Sequence, residues 1–179
     1  TQFKNAGLFH IKGSNSVLIF SGTGSTILSS SSTMMASTIV IVKAGELVIN
    51  IDSSAHLLGL KYHVKGGHIR FSGTTNAITD LHLTDHSTSH VTCDGHVTIT
   101  NILLQNGFIS GQQCSIGKLD VYSGKSEAKQ LNIEEINLKG SLTLESSAVE
   151  VKTTLNVPVD EKLPGTQTVT LTKESTLKV

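Results

Sequence analysis

The sequence predicts an all-β chain wound as a single-stranded parallel β-helix, a β-solenoid of about 20 residues per coil and about nine coils. Three observations predict it. No stretch of a dozen residues carries apolar side chains at helical spacing. Short alternating apolar runs recur instead, at a nearly constant step. Glycines and small residues punctuate those runs where a solenoid has to turn.

The first series of runs is Val17–Phe20, Ile39–Val42, Leu60–Val64, Leu81–Leu83, Ile102–Leu104, Leu119–Val121, Ile136–Leu138, Leu155–Val157 and Leu177–Val179. Their ends fall at positions 20, 42, 64, 83, 104, 121, 138, 157 and 179, a step of about 20 residues each time. A second series lies between them: Ile27-Leu28, Leu47–Ile51, Ile69–Phe71, Val91–Cys93, Ile109, Leu131–Ile133, Leu142–Leu144 and Val169–Leu171. Its register is loose in the middle, where Val97-Thr98-Ile99 competes with Val91–Cys93. Several runs open with Gly-x-apolar, as in Gly45-Glu46-Leu47, Gly67-His68-Ile69 and Gly140-Ser141-Leu142. Ser53-Ser54-Ala55, Thr74–Ala77 and Ser146–Ala148 supply small residues between the two series. Stacked at the spacing of paired strands, nine such coils would make a rod of roughly 40 Å. The competing architecture, a β-sandwich or jelly roll, needs hairpin turns. Asn-Gly and Asp-Gly pairs, the strongest such signals, occur only at Asn106-Gly107 and Asp94-Gly95.

The repeat spans the chain, so residues 1–179 read as one solenoid domain. Pro158 and Pro164 bracket a segment, 158–165, expected to protrude as a loop before a terminal coil or cap. Ser29–Ser32 reads as a corner or an extruded loop. The chain begins at Thr1 without a basic and apolar leader, which reads as a processed protein or a fragment of a longer one.

This pattern of Gly-x-apolar-x-apolar, a small-residue turn and a second alternating strand resembles the right-handed β-helix of secreted adhesins. These are the autotransporter passengers and the filamentous-haemagglutinin-like exoproteins. The resemblance covers roughly residues 7 to 179 and is one of architecture. It implies a stalk or adhesive surface outside the cell, with no cofactor and no catalytic residues to carry over.

Composition narrows the function classes. Fourteen Lys and Arg balance fourteen Asp and Glu, which argues against a nucleic-acid binder with its basic face. The longest apolar runs are four residues, far below a membrane span. Trp is absent and aromatic residues are 4% of the chain, so stacking platforms for sugars are scarce.

Two constellations are candidates for chemistry. Glu46, His68 and His90 follow one another at equal intervals of one coil, and each precedes the first apolar residue of a strand. They would stack as an outer ladder, and imidazole nitrogens with a carboxylate oxygen are zinc ligand types. The plainer expectation is a solvated ladder with Glu46 paired to His68. Lys61 and His82 stand in a similar relation on the other strand. The second constellation is Asp80, Asp85 and Asp94 with His96, candidate carboxylates for a polysaccharide lyase or hydrolase on this fold. Asp94-Gly95-His96 resembles in part the Gly-His-Gly of polygalacturonases, but the accompanying Asp-Asp and Asn-Thr-Asp are missing. Arg70 is the only arginine, which is thin for gripping an acidic sugar.

Cys93 follows Phe71 at the same interval as Phe71 follows Ile49, and is expected to point inward. Cys114 comes about one coil later. A disulfide between rungs and a pair of buried free thiols are both compatible with that spacing.

The functional expectation is a structural or adhesive segment of a secreted or cell-surface protein, meeting a host receptor, a glycan or a sister molecule. The alternatives are a carbohydrate-active enzyme on the same fold and a self-polymerising, bactofilin-like cytoskeletal β-helix.

Overall fold

The computed structural model describes residues 2–4, 10–11, 17–21, 25–28, 33–34, 39–50, 60–73, 75–84, 88–145, 148–157, 168–172 and 176–179. Their regular structure is entirely β-strand, in a sheet of 13 strands and a pair formed by His10–Ile11 and Thr33–Met34. Every pairing between strands is parallel. The chain is a parallel β-solenoid, as its repeat predicts. Among the described residues no helix is long and apolar enough to cross a membrane.

The first wall follows the first series closely. Phe20, Val42, Val64, Leu83, Leu104 and Val121 stand one on the next. The second wall runs Gln2, Ser25, Glu46, His68, His90, Phe108. Each of these columns makes five steps, so the expected nine coils are matched only roughly.

A third wall resolves the competition in the middle of the second series. Val91–Cys93 lies over Ile69–Phe71, whereas Val97 pairs with Thr75 and Cys114, and Ile99 with Ile78 and Ile116. Both runs are strands, on different walls of one coil. The C-terminal coils correct two other assignments. Leu177 lies against Val149, which lies against Leu131, while Leu155 lies against Ile136. Leu177–Val179 therefore leaves the first series, and Leu131–Ile133 is a separate ladder from Leu142–Leu144, which pairs with Val169–Leu171. Ser29–Ser32 and the loop expected at 158–165 lie outside the described residues.

Strand alternation explains the core. In Lys61–Val64 the inward residues are Tyr62 and Val64, and in His68–Ser72 they are Ile69 and Phe71, all fully buried. Tyr62 and Phe71 meet edge to face, with ring centroids 5.4 Å apart and planes at 82°. Each buried large apolar side chain contributes about 1.5–3 kcal/mol relative to exposure. Backbone hydrogen bonds run along the rod even at the corners, as from His68 N to Gly45 O (2.8 Å) and from His90 N to Gly67 O (3.0 Å).

One corner column requires glycine. Gly95 has φ +129°, a conformation L side chains avoid, and a Cβ on it would collide with the carbonyl oxygen of Gly73 in the coil before.

Candidate functional site

The most organised group of outward side chains lies on the second wall. Leu47, Ile69 and Val91 turn inward, so the preceding Glu46, His68 and His90 turn outward, one coil apart. Glu46 Oε1 lies 3.3 Å from His68 Nδ1. The His68 ring lies on the His90 ring with centroids 4.1 Å apart and planes 7° apart. The His90 ring lies in turn on Phe108, centroids 3.9 Å apart at 23°. The expected ladder therefore exists, and the phenyl ring of Phe108 continues it.

The neighbouring outward column completes the site. Val48, Arg70, Thr92 and Ser110 are in register two residues along. Nε2 of His68 is 2.8 Å from the Thr92 hydroxyl, and Nε2 of His90 is 2.7 Å from that of Ser110. Thr92 and Ser110 are themselves 2.8 Å apart. Arg70 reaches Glu46 Oε1 from Nε at 3.0 Å and Asp94 Oδ2 from Nη1 at 3.2 Å. The charges at one end and the hydroxyls at the other enclose the imidazoles.

The electrostatics follow from that enclosure. Burial, with the positive charge His68 can carry adding to it, pushes His90 down to about 4. Burial also lowers His68, against the opposing pull of Glu46. Both rings are therefore neutral near pH 7. Their nitrogens are directed at Glu46 and at hydroxyls, and the two rings stack face to face rather than converge on a common point. Among the described residues no group of three or more His, Cys, Asp or Glu side chains is placed to hold a metal ion.

The carboxylates proposed for sugar chemistry are dispersed. Asp80 sits on the first wall, where Asn101 Nδ2 donates to its Oδ1 at 2.9 Å. Asp94 sits at the end of the second-wall strand, in register with Ser72 and paired with Arg70. His96 is exposed and in register with Gln113. Asp85 lies outside the described residues. Of this set, the structure places Asp80 and Asp94 on different walls.

Several features lie beyond the reach of residue spacing alone. His82 stacks on His63, centroids 4.7 Å apart at 19°, and Lys61 is in register with Asp80. The expected relation of Lys61 to His82 is thus displaced by two positions, because the coil there is shorter than its predecessors. Further along the first wall an amide ladder forms: Asn137 Nδ2 donates to Asp120 Oδ1 at 2.8 Å, and Asn156 Nδ2 donates to Asn137 Oδ1 at 2.9 Å. An open groove of about 430 Å³ is lined by Gln112, Lys129, Gln130, Ala148, Val149 and Glu150, among others.

No protein family matches the chain, and no curated protein and no solved structure matches it.

Proposed function

We propose that this chain is a non-catalytic structural or adhesive segment of a secreted or cell-surface protein, a rigid rod of the kind used by autotransporter passengers and filamentous-haemagglutinin-like adhesins. One observation carries the reading. Among the described residues the most organised outward side chains engage each other from coil to coil, Glu46 with His68, His68 with His90 and His90 with Phe108. Glycoside cleavage needs two carboxylates flanking one bond. Asp80 and Asp94 are instead held by Asn101 and Arg70 on separate walls. Such a rod has long flat faces on which a host receptor, a glycan or a sister molecule can lie.

The test incubates the protein with a panel of polysaccharides and host glycans, reading retention and new reducing or unsaturated chain ends together. The expected outcome is no new ends, with or without retention. Cleavage would overturn the reading and direct mutagenesis to Asp80, Asp85 and Asp94. Filaments of the purified protein in electron micrographs would favour a self-polymerising, bactofilin-like role over adhesion.

A further inference from the structure

We propose that Cys93 and Cys114 form a disulfide that staples two successive coils of the solenoid. Their Sγ atoms are 2.7 Å apart and both residues are fully buried. The two cysteines reach each other from different columns. Cys93 pairs with Gly111 in the next coil, and Cys114 pairs with Val97 in the coil before. The corner between the second and third walls spends Asp94 and Gly95 in one coil but only Gln112 in the next. That difference brings the second cysteine around the corner to face the first. Adjacent coils hold their backbones at a separation suited to a disulfide.

The chemistry around the pair favours cross-linking over metal binding or nucleophilic work. No third ligand joins the two sulfurs, since the described residues contain no cluster of three metal-binding side chains. The Cys93 thiol, hydrogen-bonded to Cys114 and sealed in the core, holds its proton well above the ordinary thiol range. Exchange needs access to the sulfurs, and both are fully buried in the folded chain, so the bond must form while the chain is still opening and closing. The thiolate of Cys93 or Cys114 attacks a small-molecule disulfide, releasing one thiol and leaving a mixed disulfide. The other cysteine thiolate then displaces the second thiol and closes the protein disulfide. Two protein thiols lose two electrons and two protons, and the oxidant is reduced to two thiols. The cysteines are 21 positions apart along the chain, one turn of the rod and the corner beyond it.

The experiment refolds the denatured, reduced chain in glutathione with glutathione disulfide, and in parallel in dithiothreitol. Each sample is then denatured in iodoacetamide and mapped by mass spectrometry, and its native counterpart is melted. Expected are an oxidised chain that takes up no alkyl group, a peptide pair joining Cys93 to Cys114, and a Tm higher by about 10 °C than that of the reduced chain. Two alkylated cysteines after oxidative folding, a link between molecules, or identical melting of the two samples would each overturn the proposal. A Cys93→Val/Cys114→Val variant fills the core without sulfur and should melt alike in both buffers. The mapping of the unaltered chain decides the matter if that variant does not fold.

Discussion

The imidazole of His68 lies flat on that of His90, with centroids 4.1 Å apart and planes 7° apart. Two such rings cannot both be protonated without placing like charges in direct contact. The stack therefore couples the stability of the rod to pH.

His90 is held down to about 4, mainly by burial, against an unfolded value near 6.5. A lowered folded pKa means that the unfolded chain takes up the proton first as pH falls. The contribution of neutral His90 is fully present above about pH 6.5 and is lost progressively toward about pH 4. His68 shifts in the same direction and adds to the loss. Because both rings are partly exposed, about 1 kcal/mol is a reasonable size after screening, a fall of a few degrees in Tm. His90→Phe keeps a ring on Phe108 but cannot titrate. Its Tm should fall less than that of the unaltered chain between about pH 7 and pH 5, measured by circular dichroism. A slope equal to that of the unaltered chain would assign the acid sensitivity to other groups.

Glu46 works against burial at His68, and the same oxygen also holds Arg70. Glu46→Gln removes that charge while keeping the shape. The His68 titration, followed by NMR of its ring proton, should move further down, and stability should fall by about 0.5–1 kcal/mol at neutral pH. An upward shift would mean that Glu46 does not govern the ring.

Much of this ladder is legible in the sequence, and the reason is the constancy of the coil. The interval from Glu46 to His68 equals that from His68 to His90, so counting finds the stack. Counting fails wherever a coil changes length. The shorter step from Lys61 to Asp80 places His82 on His63 rather than beside Lys61. The step from His90 to Phe108 is shorter again, and the corner after it loses one position. Together they put Gly111 beneath Cys93 and swing Cys114 to the third wall. Hydroxyl partners such as Thr92 and Ser110 are hidden for a different reason. They belong to the adjacent outward column, and Ser and Thr are too common here to single out one pair.

Phe71 sits between Ile49 and Cys93 in an inward column and is fully buried against Tyr62. Phe71→Ala opens a cavity that stacked coils cannot close without breaking register. It should cost about 3–5 kcal/mol in chemical denaturation. A loss below about 1 kcal/mol would show that the column can collapse.

At Gly95 the backbone has φ +129°, and the path of an added Cβ is blocked by the carbonyl oxygen of Gly73. Gly95→Ala combines backbone strain with that collision. It should destabilise the chain by about 2–4 kcal/mol, a loss visible as a lower denaturation midpoint. Full stability in this variant would place the corner elsewhere in the chain.

Asn137 joins three groups on the first wall. Its Nδ2 donates to Asp120 Oδ1 at 2.8 Å and to Glu135 Oε1 at 2.9 Å, and its Oδ1 accepts from Asn156 Nδ2 at 2.9 Å. Both hydrogens of one amide thus separate two carboxylates on neighbouring coils. Asn137→Leu removes these bonds but leaves the carboxylates in reach of water, a loss of about 1 kcal/mol. Asn137→Asp is the sharper probe, because it replaces the shared donor with a third negative charge. Its loss should be larger, about 2 kcal/mol in low salt, and should shrink in high salt, which screens the charge repulsion. Comparing the two variants across ionic strength separates the hydrogen bonds from the charge. If the Asp variant is equally weak in low and high salt, the amide matters for its shape and not for keeping Asp120 and Glu135 apart.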